Sequence, residues 1–239
     1  SGVPDNRVME YRKKLLKFFQ ENKNERQMTP TNILKFFPEI YEVQTNHKLL
    51  SSVKEIFGSF SFVNNFQIQK NMCNVSHVGG WHIDAQNQYS TGEINASNDK
   101  AHRVAKMGLC LTADNCRFGQ SIEIVPGSHK LNHRIRFFLR KFLDAKIVPW
   151  IIKKRFVAKL DKVIGQGDFV IFDSKLLHRS ATADKHNIKQ ISGFNSFEIT
   201  EDSKLTVYFE VGESESVNTL LKSALTYAME SERGANKEK

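Results

Sequence analysis

Cysteine is scarce in this chain of 239 residues: Cys73, Cys110 and Cys116 are the three present. An odd, low count builds no disulfide framework and fits a reducing compartment, and Cys110 and Cys116 lack a partnering pair for a zinc site. Long apolar runs are missing too. Charge interrupts each of them well short of the roughly 18 residues that a membrane span needs, which argues against a transmembrane helix. No apolar core marks a secretory leader, Ser1-Gly2 reads as a cloning remnant, and a cytoplasmic location is the expectation. No internal repeat or low-complexity segment occurs, and 40% hydrophobic with 26% charged residues is ordinary for a folded globular chain.

Acid is the minority charge, 26 residues against 35 basic ones, leaving a formal net charge of +9. The surplus sits almost wholly in one place. Between Arg134 and Lys159 there are nine basic residues and one acid, Asp144. Within that stretch Ile135, Phe138, Leu139, Phe142 and Leu143 keep the spacing of a helical apolar stripe, and Pro149 is expected to end or kink the helix. A basic amphipathic helix of this kind suits an anionic partner, whether substrate, membrane surface or nucleic acid. A solvated basic face on a helix that buttresses a sheet is the plainer reading.

The chain starts helical, with Val8, Tyr11, Leu15, Phe18 and Phe19 on one stripe and Leu49, Leu50, Val53, Ile56 and Phe57 on another. Pro30 and Pro38 bracket a shorter helical piece. From Phe60 the texture becomes short β-type runs, at 60–63, 66–75, 104–112, 122–125, 168–172 and 205–211, with turn residues between them. Val217, Leu220, Leu221, Ala224, Leu225 and Ala228 return to a helical stripe. Strands and helices do not alternate regularly, which argues against a doubly wound sheet. The pattern predicts a mainly β sandwich or barrel with flanking helices. It reads as one domain over 3–239, with a helical buttress at 3–59, a β core at 60–212 carrying a basic helical insert at 131–160, and a C-terminal helix at 213–232. The polar, Asn-rich stretch 87–100 reads as a mobile surface loop.

The chemistry concentrates in Gly79-Gly80-Trp81-His82-Ile83-Asp84. On a strand, His82 and Asp84 project to the same face and can form two legs of a divalent metal site. A facial triad needs one more donor, and His178, after the run Asp168-Phe169-Val170-Ile171-Phe172-Asp173, is the candidate. Gly79 and Gly80 would let backbone or cofactor approach closely. An isolated H-x-D triplet is weak and is as readily a surface pair. The order around it carries more: Lys106 to Leu111, then Pro126-Gly127-Ser128-His129-Lys130, then Gly167 to Asp173, then His178-Arg179-Ser180.

That series, over roughly Cys73 to Gly212, resembles the phytanoyl-CoA dioxygenase-like branch of the Fe(II)/2-oxoglutarate-dependent oxygenases. The resemblance implies a double-stranded β-helix, a jelly-roll or cupin-like core, and an enzyme using Fe(II), 2-oxoglutarate and O2. It also implies His82, Asp84 and His178 as iron ligands, with succinate and CO2 released as a second substrate is hydroxylated. Halogenating relatives carry a small residue where Asp84 stands, so hydroxylation is the implied outcome. The family's cosubstrate-anchoring Arg has no counterpart here. Lys204 stands in the matching place, Lys189 is the second choice, and Ser180 is a candidate hydroxyl donor to the same carboxylate. A lysine there is a point charge where the arginine is a bidentate fork.

Blander readings hold for the other histidines. His129 reads as a turn element near a pocket mouth, His47, His77, His102, His133 and His186 as surface or packed residues, and Cys110 as core. The expected substrate is a small or phosphate-bearing metabolite. The alternative is a non-catalytic jelly-roll module that binds anionic membrane or nucleic acid through 134–159, nucleic acid being the weaker partner because no stacking platform of alternating aromatic and basic residues occurs outside this segment.

Overall fold

The computed structural model describes residues 2–22, 27, 28, 33, 35–71, 80–90, 92–95, 99–111, 122–145, 147–160, 164–180 and 204–218. Helix α1 (Asp5–Glu21) opens the chain. It is followed by strand β1 (Gln27–Met28) and helices α2 (Ile40–Gln44) and α3 (His47–Phe57). The Asn46 side chain caps α3 by accepting the Lys48 and Leu49 amides, satisfying donors a helix start leaves unpaired. Strand β2 (Ser61–Asn71), helix α4 (Gln86–Ser90), and strands β3 (Val104–Cys110) and β4 (Ile122–Ile124) come next. Helices α5 (His133–Asp144) and α6 (Trp150–Lys153) precede β5 (Ala158–Lys159), β6 (Phe169–Asp173), β7 (His178–Ser180) and β8 (Lys204–Gly212).

The strands form two antiparallel sheets, one in the order β1-β2-β8-β3-β6 and one in the order β5-β4-β7. Alternation decides what each face of the large sheet meets. Met107, Leu109, Val207, Phe209 and Val211 pack with Val8, Tyr11, Leu15 and Phe19 of α1 and Leu49 and Val53 of α3 in the main core. The other face carries Lys106, Gly108, Tyr208 and Glu210, unusually polar for a sheet interior. Gly108 lies opposite Tyr208, and a Cβ there would stand 3.0 Å from the ring, so a larger residue would require the ring to shift by a few tenths of an ångström. A cavity of about 450 Å³ lies between the sheets, walled by Ile122 and Ile124 on one side and by Val170 and Phe172 on the other.

The mainly β expectation with flanking helices holds, and three details differ. The runs at 60–63 and 66–75 are continuous over 61–71 in the single strand β2, residues 72–75 lying outside the described residues, and its pairing with β8 shifts register between Val63 and Gln67. A bulge of this type lets one strand continue where the polar Asn64-Asn65 pair suggests a break. The stretch 87–100 is no surface loop where it is described: Gln88, Ile94 and Asp99 are buried. The C-terminal helix is described only over 214–218, and Val217 is buried there.

Helix α5 departs most from expectation. It ends at Asp144, ahead of Pro149, which instead starts α6. Ile135 and Phe138, expected on the buried stripe, are exposed, while Arg136 is 1% exposed. The cause is an ion pair. Arg136 donates to Asp99 Oδ1 at 2.7 Å, to His129 O at 3.2 Å, and to Tyr89 Oη and Leu131 O. Satisfying a buried guanidinium outweighs burying two more apolar side chains, so the helix rolls to bring Arg136 inward. Lys153 is buried as well, donating at 2.6 Å to Leu143 O and Ala145 O, carbonyls that the end of α5 leaves open.

Buried histidine gives the fold a pH response. His102 is buried, and desolvation, reinforced by the charge of Lys175, lowers its pKa from 6.5 to about 4. The unfolded chain therefore takes up this proton as pH falls through 6.5, whereas the folded chain does so only near pH 4. Stability contributed by the neutral ring is lost across that window, by at most about 1.4 kcal/mol per pH unit. His178, also brought to about 4 by burial, acts in the same direction. Asp173 and Glu210, raised by burial, oppose it, because the folded state protonates them first. The urea midpoint should fall between pH 7 and pH 5, and His102→Gln should flatten the drop.

Candidate metal centre

His82 sits outside any regular strand, in an isolated antiparallel bridge to His178 at the start of β7. The two residues exchange backbone hydrogen bonds, His82 N–H to His178 O at 3.0 Å and His178 N–H to His82 O at 2.9 Å. Their rings lie 4.3 Å apart. Asp84 occupies the turn that follows, contrary to the expectation of a strand carrying both residues, and the Ala85 N–H holds that turn to Ser174 O at 3.1 Å. Asp84 faces the rings all the same. Donor atoms of His82, Asp84 and His178 all lie within 4.8 Å of one another, and His178 Nε2 is 3.6 Å from Asp84 Oδ2.

The surroundings aim these donors. Each imidazole Nδ1 lies 2.9 Å from a carbonyl, Gly80 O for His82 and Leu176 O for His178. A carbonyl only accepts, so both Nδ1 atoms carry the proton and both Nε2 atoms present a lone pair, the second-shell device common to metal-binding histidines. Asp84 Oδ2 is buried and has no hydrogen-bond partner. Two oriented lone pairs and an unsatisfied buried carboxylate oxygen are a donor set suited to a divalent cation of the Fe, Mn, Co, Ni or Zn type.

Charge keeps all three donors ready. Burial alone would raise the Asp84 carboxyl, but attraction to the Lys106 ammonium above all, helped by the adjacent His178 and His82 rings and a Lys106 hydrogen bond, outweighs it and holds it below the usual carboxylate range. Desolvation keeps the His178 ring neutral down to about pH 4, against the pull of Asp84.

Pro126-Gly127-Ser128-His129-Lys130 positions this centre from behind. Gly127 adopts φ 76, a left-handed turn that favours glycine. The turn places Ser128 Oγ to accept the Leu177 amide at 2.9 Å, while Val125 N–H donates to Leu177 O at 2.9 Å. His178 follows directly. His129 itself walls the inter-sheet cavity. Phe172, on the same cavity wall, packs its ring 4.7 Å from that of His178.

Ser180 closes β7, paired with Ile122. Lys204 is the first residue of β8, paired with Asn71. Lys189 lies outside the described residues. Arg179 donates to Glu123 Oε2 at 2.7 Å and stacks 4.8 Å from the Trp81 ring. Cys110 is buried, as expected of a core residue.

Two residues of the centre escaped the sequence reading. Lys106 Nζ lies 3.4 Å from Asp84 Oδ1 and 3.9 Å from Glu210 Oε1, all three side chains being nearly buried. Burial raises the Glu210 carboxyl, Lys106 lowers it and Asp84 raises it again. The signal was present: Lys106 is the lone charge of β3 and Glu210 the one charge within the apolar run 205–212 of β8, and charged residues are almost never fully buried unless paired.

No protein-family model and no curated protein matches the sequence. Solved structures do. The chain is similar to HygX from Streptomyces hygroscopicus with nickel and 2-oxoglutarate bound, with TM-score 0.56 and 13% identity over 89% of this chain and 80% of that one. It is similar to AviO1 from Streptomyces viridochromogenes Tue57, with TM-score 0.53 and 13% identity over 88% and 84% of the two chains. The non-heme monooxygenase ThoJ aligns with TM-score 0.53 and 11% identity over 89% and 70%. At such identities the likeness is one of fold. Among the described residues no helix is long and apolar enough to cross a membrane.

Proposed function

We propose that the chain is an Fe(II)/2-oxoglutarate-dependent oxygenase of the phytanoyl-CoA dioxygenase-like branch, hydroxylating a small or phosphate-bearing metabolite. The observation that carries this reading is the set His82, Asp84 and His178, with both Nε2 lone pairs aimed and one carboxylate oxygen unsatisfied. The strand orders β2-β8-β3-β6 and β5-β4-β7 support a double-stranded β-helix. HygX, with bound nickel and 2-oxoglutarate on a similar fold, supports the same cofactor and cosubstrate.

In this reading His82, Asp84 and His178 hold the iron, which with 2-oxoglutarate and O2 supplies the oxidising power, succinate and CO2 being the by-products. The protein's own work is placement. The carbonyls of Gly80 and Leu176 fix the two rings. Lys204, with Lys189 as second choice and Ser180 as hydroxyl donor, meets the far carboxylate of 2-oxoglutarate. Lys106, whose ammonium reaches Asp84, keeps that carboxylate ionised and ready for the metal. Phe172 and the aliphatic lining of the inter-sheet cavity keep water away from the reacting centre.

Incubation with Fe(II), 2-oxoglutarate and ascorbate should release succinate in an iron-dependent manner, slowly without the second substrate. Protein that neither binds Fe(II) nor forms succinate would refute the proposal.

A further inference from the structure

The exposed apolar side chains are not scattered. Of eleven large hydrophobic residues exposed among the described residues, seven lie between Ile135 and Phe156. Phe138 is 67% exposed, Ile151 75% and Ile147 90%. On α5 the outward stripe reads Arg134, Phe137, Phe138, Lys141, at the i, i+3, i+4, i+7 spacing of one helix face. Lys141 Nζ lies 4.5 Å over the Phe137 ring. Ile151 and Ile152, with Lys154 and Arg155 beside them in sequence, continue the pattern beyond the helix.

This display is built in. Arg136 and Leu143 anchor the opposite face of α5, and Lys153 ties α6 to its C-terminal carbonyls. Soluble proteins rarely hold out contiguous apolar surface without a partner for it. The partner must be apolar and anionic at once, since beyond the buried Arg136 and Lys153 the segment still has seven basic residues against one acid. A second copy of the same segment would set like charges against each other. A nucleic acid offers phosphate and bases that stack on Phe137 and Phe138, but it offers no apolar volume to Ile147 and Ile151, the two most exposed of these side chains. A bilayer with acidic headgroups offers both an anionic surface and an acyl boundary into which Phe and Ile side chains insert.

We propose that segment 134–159 docks the protein on an anionic lipid bilayer. Phe137, Phe138, Ile147 and Ile151 enter the headgroup–acyl boundary while Lys141, Lys154 and Arg155 meet the acidic headgroups. Arg134, Phe137 and Arg140 also wall a cavity of about 300 Å³ with Ile83 and Leu177, chain neighbours of the metal triad. Docking therefore holds this cavity close to the lipid surface. The surface stands independently of the oxygenase reading.

Flotation with phosphatidylcholine vesicles, with and without a third of the lipid replaced by phosphatidylglycerol, tests the proposal. The full chain should float with the anionic vesicles at about 0.05 M salt, remain with the neutral ones in solution, and bind far less at about 0.5 M. Phe138→Ser/Ile151→Ser and Lys141→Glu/Lys154→Glu should each lower partitioning roughly tenfold or more. All four positions are exposed, so unchanged circular dichroism and metal affinity verify the fold of each variant. No flotation at low salt overturns the proposal, as does flotation that the Ser pair leaves intact. Binding of duplex oligonucleotide in place of vesicles, or a dimer that the Ser pair dissociates, overturns it in favour of those partners.

Discussion

His178→Ala should abolish specific divalent-metal binding while leaving the protein folded. Outer-sphere partners of a metal-bound histidine alone are worth about 10–100-fold in affinity, so removing a donor should exceed roughly a hundredfold. Asp84→Ala should match it, because the carboxylate is the anion of the set. His129→Ala is the control: it walls the inter-sheet cavity but is not in the triad. Titration with Co(II) or Ni(II), followed by calorimetry or visible absorption, reads the result directly. Variants that bind metal as the wild type does would remove the centre from His82, Asp84 and His178. The His178 ring stays neutral down to about pH 4, so its protonation should not weaken binding near neutrality.

The second large effect is on stability. Arg136→Met leaves the Asp99 carboxylate nearly buried, with Tyr89 as its remaining side-chain donor. Breaking a buried ion pair from one side costs about 3–5 kcal/mol, because the remaining charge is uncompensated. For a chain of this size that corresponds to a fall in Tm of about 10 °C. Burial raises the Asp99 carboxyl, but hydrogen bonds from Tyr89 and Arg136 and the charges of Arg136 and Lys175 hold it below the usual range, so it is ionised at neutral pH. Arg136→Met/Asp99→Asn should regain much of the loss, since neither charge is then stranded. Equal Tm values for the single and double variants would show that the cost lies in packing and not in charge.

Arg136 also shows where sequence reading stops. The helix at 133–144 is visible in its apolar spacing, but which face turns inward depends on Asp99, 37 residues earlier in the chain. No local pattern announces such a partner. The same non-local pairing makes a buried tie of a stretch that reads, from its asparagines, as mobile surface. The centre was legible for the opposite reason. His82 and Asp84 are two residues apart, and His178 follows a strand of obvious texture, so short-range order singled out three side chains that the fold brings within 4.8 Å. Lys106 and Glu210 needed only the question of why an apolar run in mid-strand carries one charge. The alternation of β3 and β8 was enough to place the main core, since Met107, Leu109, Val207 and Phe209 fall on one face.

The reciprocal amides between His82 and His178 amount to a ruler made of main chain. They set the spacing of two side chains without drawing on the chemistry of either. Whatever residue stands at these positions inherits that spacing, so ligand identity and scaffold geometry can change independently of each other. Softer or harder donors could be exchanged there, shifting metal preference along the thiolate–imidazole–carboxylate series while the surrounding sheets keep their register.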